Sequence, residues 1–314
     1  MQPVPLVSER VRAALTDGRP VVALESTIIS HGFPRPRNRD LAFAFEAALV
    51  DRGVTPATVA VVDGTPKVGL AEADLIRLAD DPEVDKASTR DLPAAVGLRR
   101  TAATTVAATV AATSYLAALA GVRIFATGGL GGVHRDAQHT MDESADIAAL
   151  AQTRITVVSA GVKSILDIPL TLERLETWGV CVVGYRTMRF PAFWLSDSGE
   201  SVDWTVDSPD QVADLMLASD RLGRSGGILV ANPLASDEQL DPDLHDRVVA
   251  EGLRDAADHG VRGKALTPHL LDFIHRATAG ASLEVNVTIA RNNIALAAKI
   301  AMAWSRKAPA AEST

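Results

Sequence analysis

The chain has little of what stabilises secreted domains or anchors proteins in membranes. It has one cysteine, Cys181, among 314 residues, so no intramolecular disulfide can form. Residues 1–12 lack the apolar core of a signal peptide, and no apolar run is long and uninterrupted enough to cross a bilayer. The nearest candidate, residues 101–122, is mostly Ala and Thr. We therefore expect a cytoplasmic protein that does not enter the membrane.

Aromatic and basic residues are also scarce. Aromatic residues make up 4% of the chain and hydrophobic residues 47%, so a large core must consist mainly of Ala, Val, Leu and Ile. Acidic residues outnumber basic ones by 39 to 31, and the longest basic run is the pair Arg99-Arg100. Nucleic acid and anionic membranes repel such a chain, so neither is an expected partner. A small anionic ligand needs only a few cations and stays compatible with the net charge.

Short β-branched runs alternate with longer helical patterns along the chain. This alternation predicts strands at 21–24, 57–62, 122–126, 155–160, 180–183 and 228–230. It predicts helices at 38–52, 71–80, 101–120, 144–152, from 171 to before Gly179, and at 240–259, 268–277 and 282–304.

Strands separated by helices pair in parallel, and strands that are apolar on both sides need a cover on each face. The prediction is therefore an α/β fold, a single-domain α/β/α sandwich whose mostly parallel central sheet is covered by helices on both faces. We expect an N-terminal segment over 1–20, the domain over 21–305 and a disordered tail over 306–314.

Polar side chains follow several of these strands. Glu25 and Thr127 come directly after two of them, Lys163 follows the strand at 155–160, and Lys86 follows a short extended piece. Right-handed crossovers bring the carboxyl ends of parallel strands to one edge, where ligands bind in open α/β sheets. Alone, Glu25 could be a helix cap and either lysine a solvated surface group. Together they predict an active site with Lys163 as a covalent nucleophile.

The glycine-rich segment 128–132 narrows the type of site. It lacks the third glycine of a dinucleotide fingerprint, and the chain has neither a Walker-type phosphate loop nor a His-Glu-x-x-His zinc motif. Its backbone N–H groups could still bind phosphate. Asp142 and Asp146 follow it and suit a hard cation such as Mg²⁺ or Mn²⁺, although with Ser144 they could equally cap the next helix.

Several long motifs resemble the pseudouridine-5′-phosphate glycosidases, in the same order and over roughly residues 21–303. The matching segments are 21–32, 86, 90–93, 103–107, 125–135, 144–146 and 160–167. This resemblance implies reversible cleavage of the C–C glycosidic bond of pseudouridine 5′-phosphate to uracil and ribose 5-phosphate. It also implies a divalent metal, typically Mn²⁺, and a homotrimer. Because no sugar-kinase segment follows the last predicted helix, we expect a separate pseudouridine kinase as pathway partner.

The resemblance also implies roles for individual residues. Lys163 matches the nucleophile, Glu25 the proton donor and Asp142 the metal-site residue. Substrate contacts are implied for Lys86, the main chain at Val106, Ser144, Ala145 and Asp146. The chain departs from the family where Gln138 replaces a common Glu, which removes a charge beside the metal loop, and where Val162 replaces a small residue.

The reaction itself explains the need for an amine. The base is attached through carbon, and a lysine adduct can push out that carbon by forming an iminium, which a carboxylate nucleophile cannot do. Lys163 must be neutral to attack, so burial and a second cation, Lys86, should lower its pKa. Asn286 and Asn293 lie on one face of the last predicted helix, and we expect one of them, preferably Asn286, to bind the uracil or the ribose.

Three other functions use the same residues. A Schiff-base aldolase acting on a sugar phosphate would also use Lys163. A non-catalytic sugar-phosphate sensor would keep the fold, and a metal-dependent phosphatase would release inorganic phosphate instead of uracil.

Overall fold

The computed structural model of the chain describes residues 5–104 and 109–308. The strands in this part are β1 (Leu6–Val7), β2 (Val21–Leu24), β3 (Thr55–Val62), β4 (Thr65–Val68), β5 (Asp85–Ala87), β6 (Ala102–Thr104), β7 (Ile124–Ala126), β8 (Thr156–Ser159), β9 (Cys181–Tyr185), β10 (Thr205–Val206) and β11 (Ile228–Ala231). The helices are α1 (Glu9–Thr16), α2 (Thr27–His31), α3 (Arg37–Val50), α4 (Glu72–Asp80), α5 (Leu92–Gly97), α6 (Thr109–Leu119), α7 (Ala137–Thr140), α8 (Ala145–Gln152), α9 (Ile168–Thr177), α10 (Pro209–Arg221), α11 (Pro242–Asp258), α12 (Leu266–Ala277) and α13 (Ala281–Lys307).

The predicted fold class is confirmed. One sheet runs in the order β1-β4-β3-β2-β7-β8-β11-β9-β10, with β6 attached to β3 and β5 attached to β6. The pairings are parallel except those of β3 with β4 and β6. Helices cover both faces because every central strand is apolar on both sides. In β2, for example, Val21 and Ala23 join one core and Val22 and Leu24 the other.

The second of these cores contains residues of α3, α10 and α13. The first contains residues of α1, α6, α8, α9, α11 and α12, together with two residues of α13. Among the described residues, no helix is both long and apolar enough to span a bilayer.

The predicted helix over 101–120 begins too early. Ala102–Thr104 is instead a short strand that pairs antiparallel with β3 and parallel with β5, and the helix described here is Thr109–Leu119. A run of Ala and Thr fits a buried strand and a buried helix equally well, so tertiary packing decides between them. Elements that were not predicted are the helices α1, α2, α5, α7 and α10 and the short strands β1, β4, β6 and β10.

The described residues near both ends of the chain pack against the domain. Strand β1 pairs with β4, and Val11 and Ala14 of α1 are fully buried in the first core. Helix α13 continues through Lys307. Residues 309–314 lie outside the described part, so the disordered tail stays a prediction.

Candidate active site

Glu25 directly follows β2 and is buried, with 6% of its surface exposed. The hydroxyl of Thr127, which follows the neighbouring strand β7, donates a 2.6 Å hydrogen bond to its Oε1. Its Oε2 is buried and has no hydrogen-bond partner among the described residues. Burial disfavours the charged form and raises the pKa of Glu25 to about 7, against the opposing hydrogen bond from Thr127. Near neutral pH this carboxyl can therefore both give and take a proton.

Lys163 lies in the turn after β8 and is 3% exposed. Its backbone N–H donates to the carbonyl of Leu130 in the glycine-rich segment, at 3.2 Å. Burial lowers the pKa of its amine to about 8, although the charges of Asp146 and Glu25 raise it. The charge of Lys86 lowers the pKa of Lys163, as expected from the sequence, but its effect is the smallest of these four influences. About one Lys163 amine in ten is then neutral at pH 7, against one in a few thousand for a free lysine.

Both side chains face one cavity with a volume of about 610 Å³, within the usual range for small-molecule sites. Six of the predicted site residues line it together: Glu25, Lys86, Asp142, Ser144, Ala145 and Lys163. Apolar side chains from three separate segments form much of the remaining wall, among them Phe33, Pro34, Phe193, Trp194 and Leu271.

The rim of the cavity carries cations. Lys86 on β5 and Arg90 both line it, next to His31. Loss of hydration, followed by the charge of Lys86, lowers the pKa of His31 to about 4, so this imidazole is neutral at pH 7. Burial lowers the pKa of Lys86, and Arg90 lies 3.7 Å from the carboxylate of Asp91, which also lines the cavity. Two basic side chains beside a neutral imidazole suit an anion with one or two charges, such as a phosphate monoester.

Asp146 has a structural role beside the glycine-rich segment. It is fully buried, and its carboxylate accepts hydrogen bonds from the N–H groups of Gly131, at 2.9 Å, and Ala111, at 3.2 Å. It thereby holds the glycine-rich segment and places a negative charge near Lys163. Its predicted contact with the substrate stays a prediction. Val106, the other predicted contact, lies outside the described residues.

Asp142 lies beside His134 at the cavity, with 4.0 Å between Oδ2 and Nε2. Burial lowers the pKa of His134, which keeps its imidazole neutral and able to bind a metal. In the described part of the chain, no group of three His, Cys, Asp or Glu residues is arranged to hold a metal. One carboxylate with an imidazole still fits Mg²⁺ or Mn²⁺, because these ions keep several water and substrate oxygens as ligands. Gln138 is exposed on α7, just before this loop.

The two asparagines of α13 have different surroundings. Asn286 lines the cavity, and its Oδ1 accepts a 2.7 Å hydrogen bond from Nε1 of Trp194. Asn293 is buried and donates to the carbonyl of Thr127, at 2.7 Å, and that of Gly128, at 3.2 Å. Asn286 therefore faces the cavity, and its predicted contact with uracil or ribose stays a prediction. Asn293 supports the strand end that carries Thr127.

Trp194 and His134 line the cavity without having been predicted as site residues. His134 falls inside a matched motif, so its neighbourhood was visible in the sequence. Trp194 lies in the long excursion between β9 and β10, where no pattern in the sequence indicates that it reaches the site.

The model of the family described as indigoidine synthase A like protein matches residues 10–303. The chain is 59% identical over 302 residues to a pseudouridine-5′-phosphate glycosidase of Frankia alni, covering 96% of this chain and 82% of the relative. It is 55% identical over 300 residues to a protein of the same name from Streptomyces griseus, covering 95% and 92%.

Solved structures share the fold. Prealnumycin C-glycosynthase AlnA, crystallised in complex with ribulose 5-phosphate, has a TM-score of 0.86 at 32% identity, covering 98% of this chain and 100% of the other. An indigoidine synthase A-like protein from Thermotoga maritima has the same TM-score at 30% identity, covering 98% and 99%. The resemblance noted in the sequence is thus confirmed: the chain belongs to the indigoidine synthase A-like family and, within it, to the pseudouridine-5′-phosphate glycosidases.

Proposed function

We propose that this enzyme reversibly cleaves the C–C glycosidic bond of pseudouridine 5′-phosphate, giving uracil and ribose 5-phosphate. One observation carries the proposal. A buried lysine and a buried carboxyl, each with its pKa displaced toward neutrality, face the same cavity. This pair supplies the amine and the acid that a carbon leaving group requires.

In the proposed mechanism, neutral Lys163 attacks C1′ of the ribose. The C1′–O4′ bond breaks, O4′ takes up a proton, and the nitrogen loses one. The carboxyl of Glu25, with a pKa of about 7, can donate and recover protons in this exchange. The ring-opened sugar is then attached to Lys163 as a secondary amine.

The acid form of Glu25 next protonates C5 of the uracil. The nitrogen lone pair pushes out the C1′–C5 bond, whose electrons restore the uracil ring, and an iminium remains on Lys163. Water adds to C1′ and releases ribose 5-phosphate, which returns the amine. Every step is reversible, so the same residues can join the two products in the synthetic direction.

The rest of the cavity supports this substrate. Lys86 and Arg90 at the rim suit the phosphate. Because Oδ1 of Asn286 accepts from Trp194, its amide presents N–H donors to the cavity, and these fit a carbonyl oxygen of uracil. A divalent ion held by Asp142 and His134 would, when bound, neutralise charge on sugar or phosphate oxygens.

Three further proposals rest on the family resemblance. They are a Mn²⁺ or other divalent cofactor, a homotrimeric assembly, and a separate pseudouridine kinase that supplies the substrate. A cytoplasmic location is a fourth proposal, and it rests on the single cysteine. Sedimentation velocity of the purified enzyme tests the assembly directly.

Incubation with pseudouridine 5′-phosphate and Mn²⁺, followed by chromatography of the products, tests the proposed reaction. Uracil and ribose 5-phosphate should form in equal amounts, and Lys163→Met and Glu25→Gln should each lower kcat by about a thousandfold or more. Lys299→Met, on an exposed part of α13, is the control and should leave kcat unchanged. Release of inorganic phosphate without uracil would identify a phosphatase instead.

A further inference from the structure

The turn that carries Lys163 is fixed to the rest of the protein at several points. The N–H of Leu166 donates to the carbonyl of Lys163, at 2.9 Å, which closes the turn. The guanidinium of Arg135 donates to the carbonyls of Ser164, at 2.9 Å, and Ile165, at 3.3 Å. Arg135, which follows the glycine-rich segment 128–132, thus holds the backbone just after the proposed nucleophile.

A second attachment comes from a helix distant in sequence. Nε2 of His245, on α11, lies 2.7 Å from Oγ of Ser164, the residue next to Lys163. Nδ1 of the same ring lies 2.9 Å from the carboxylate of Asp246, which is exposed. A carboxylate fixes the tautomer with hydrogen on Nδ1, so Nε2 accepts from the Ser164 hydroxyl. Both ring nitrogens are then satisfied.

Burial makes this hydrogen bond significant for the site. Ser164 is 4% exposed and His245 5% exposed, so loss of either partner leaves a polar group without water. An apolar side chain could fill the same volume without the cost of an unpaired buried polar group. A buried hydrogen bond, however, is directional, so the Ser164–His245 pair fixes the position of the turn more narrowly than apolar packing alone would.

The same ring also contacts Trp194, which lines the cavity. His245 meets Trp194 edge-on, with ring centroids 6.2 Å apart, and the N–H of Leu240, just before α11, donates to the carbonyl of Trp194. Trp194 in turn holds Asn286. His245 thus lies between the turn of the nucleophile and the tryptophan that orients the cavity amide.

We infer that His245 is a positioning residue, which holds the turn carrying Lys163 through Ser164 and fixes its distance from Trp194. The inference rests on the proposed role of Lys163 as nucleophile. It assigns no contact with substrate to His245 or Ser164, neither of which lines the cavity as described. It explains why a histidine is buried at the start of α11.

The test compares Ser164→Ala, His245→Leu and the double variant with the wild-type enzyme. Ser164→Ala removes a single oxygen atom and serves if His245→Leu fails to fold. His269→Leu is the matched control, because it removes a 2.7 Å bond between His269 and Asp255 that joins α11 to α12 away from the turn.

The first readout needs no turnover. Cyanate carbamylates neutral amines, and peptide mapping gives the rate at Lys163 against pH, relative to exposed Lys299 in the same molecules. A loosened turn admits water to the amine, which favours its charged form. The pH at which carbamylation of Lys163 reaches half its maximal rate should therefore rise by roughly half a pH unit or more in both single variants. It should not rise in His269→Leu. An unchanged midpoint in folded variants, or an equal shift in the control, would overturn the inference.

The second readout is uracil release. The kcat should fall about tenfold in either single variant, with KM changed less than threefold, and the double variant should be no worse than the single ones. Additive losses would contradict a shared role. If the wild type releases no uracil, the proposed function fails, while the carbamylation midpoints still decide whether His245 positions Lys163.

Discussion

The hydroxyl of Thr127 donates a 2.6 Å hydrogen bond to Oε1 of Glu25, across two neighbouring parallel strands. This bond favours the ionised carboxylate and so opposes the effect of burial on its pKa. The two influences together leave Glu25 with a pKa of about 7, below that of Lys163 at about 8. The productive state, with Glu25 protonated and Lys163 neutral, is therefore a minor one.

This order of pKa values predicts a bell-shaped dependence of kcat/KM on pH, with its maximum between about 7 and 8. Loss of the Thr127 hydroxyl should raise the pKa of Glu25 by about one unit, since a hydrogen bond to a charged group contributes about 1.5 kcal/mol or more. In Thr127→Val the maximum should then move up by about half a pH unit.

Thr58→Val is the matched control for this prediction. Thr58 lies opposite Leu24 in the sheet and donates an equally short bond of 2.6 Å to Glu46, and neither Thr58 nor Glu46 is among the residues that line the 610 Å³ cavity. Its pH profile should coincide with that of the wild type. A downward shift in Thr127→Val would contradict the account of Glu25.

Gly161 permits the turn that leads to Lys163. Its φ of 78° lies in the left-handed region, and an added Cβ would collide with the carbonyl oxygen of Pro191. Gly161→Ala should lose about 2–3 kcal/mol of unfolding free energy and most of its activity, measured by urea denaturation and uracil release. Gly18→Ala, at φ 66° with open space around it, should lose only about 1 kcal/mol and keep full activity. Equal behaviour of the two variants would exclude a role for the collision.

Trp194→Phe keeps an aromatic ring but removes the indole N–H that orients Asn286. The amide could then rotate and present an acceptor to the uracil carbonyl. KM for pseudouridine 5′-phosphate should rise about five- to tenfold, with little change in kcat. Trp204→Phe, at a 70% exposed position, is the control and should change neither constant. A loss confined to kcat would place Trp194 in the chemistry instead of in binding.

Removal of the metal with EDTA should abolish uracil release, and Mn²⁺ should restore it. In Asp142→Asn the Mn²⁺ concentration for half-maximal activity should rise at least tenfold, as expected when a carboxylate ligand is lost. Asp136→Asn, which changes a nearby exposed residue, should respond like the wild type. Direct Mn²⁺ binding measured by electron paramagnetic resonance should change in parallel. Full activity of Asp142→Asn in EDTA would exclude a metal site at Asp142.

The fold class and the order of the main strands along the chain could be predicted from the sequence. Glu25, Thr127 and Lys163 were expected at one edge because each follows an apolar run, and topology brings the carboxyl ends of parallel strands together. The prediction from local sequence was wrong at Ala102–Thr104, because this short strand has the composition of the helix that follows it. There the pairing with β3 decides the structure, and this pairing joins residues about forty positions apart.

The contacts that support the site residues could not be predicted from the sequence. His245 lies 81 residues from Ser164, and Trp194 lies 92 residues from Asn286. Each pair depends on how a helix or a long excursion packs against the sheet, which no local pattern encodes. The hydrogen bond from the N–H of Gly131 to Asp146 is a contact of the same kind.

Covalent capture of the sugar tests the central claim most directly. The enzyme is incubated with ribose 5-phosphate, the iminium is reduced with borohydride, and the adduct is located by peptide mapping. The account predicts one ribityl 5-phosphate adduct, on Lys163, which is absent from Lys163→Met. An adduct on another lysine, or none in an enzyme that releases uracil, would contradict it.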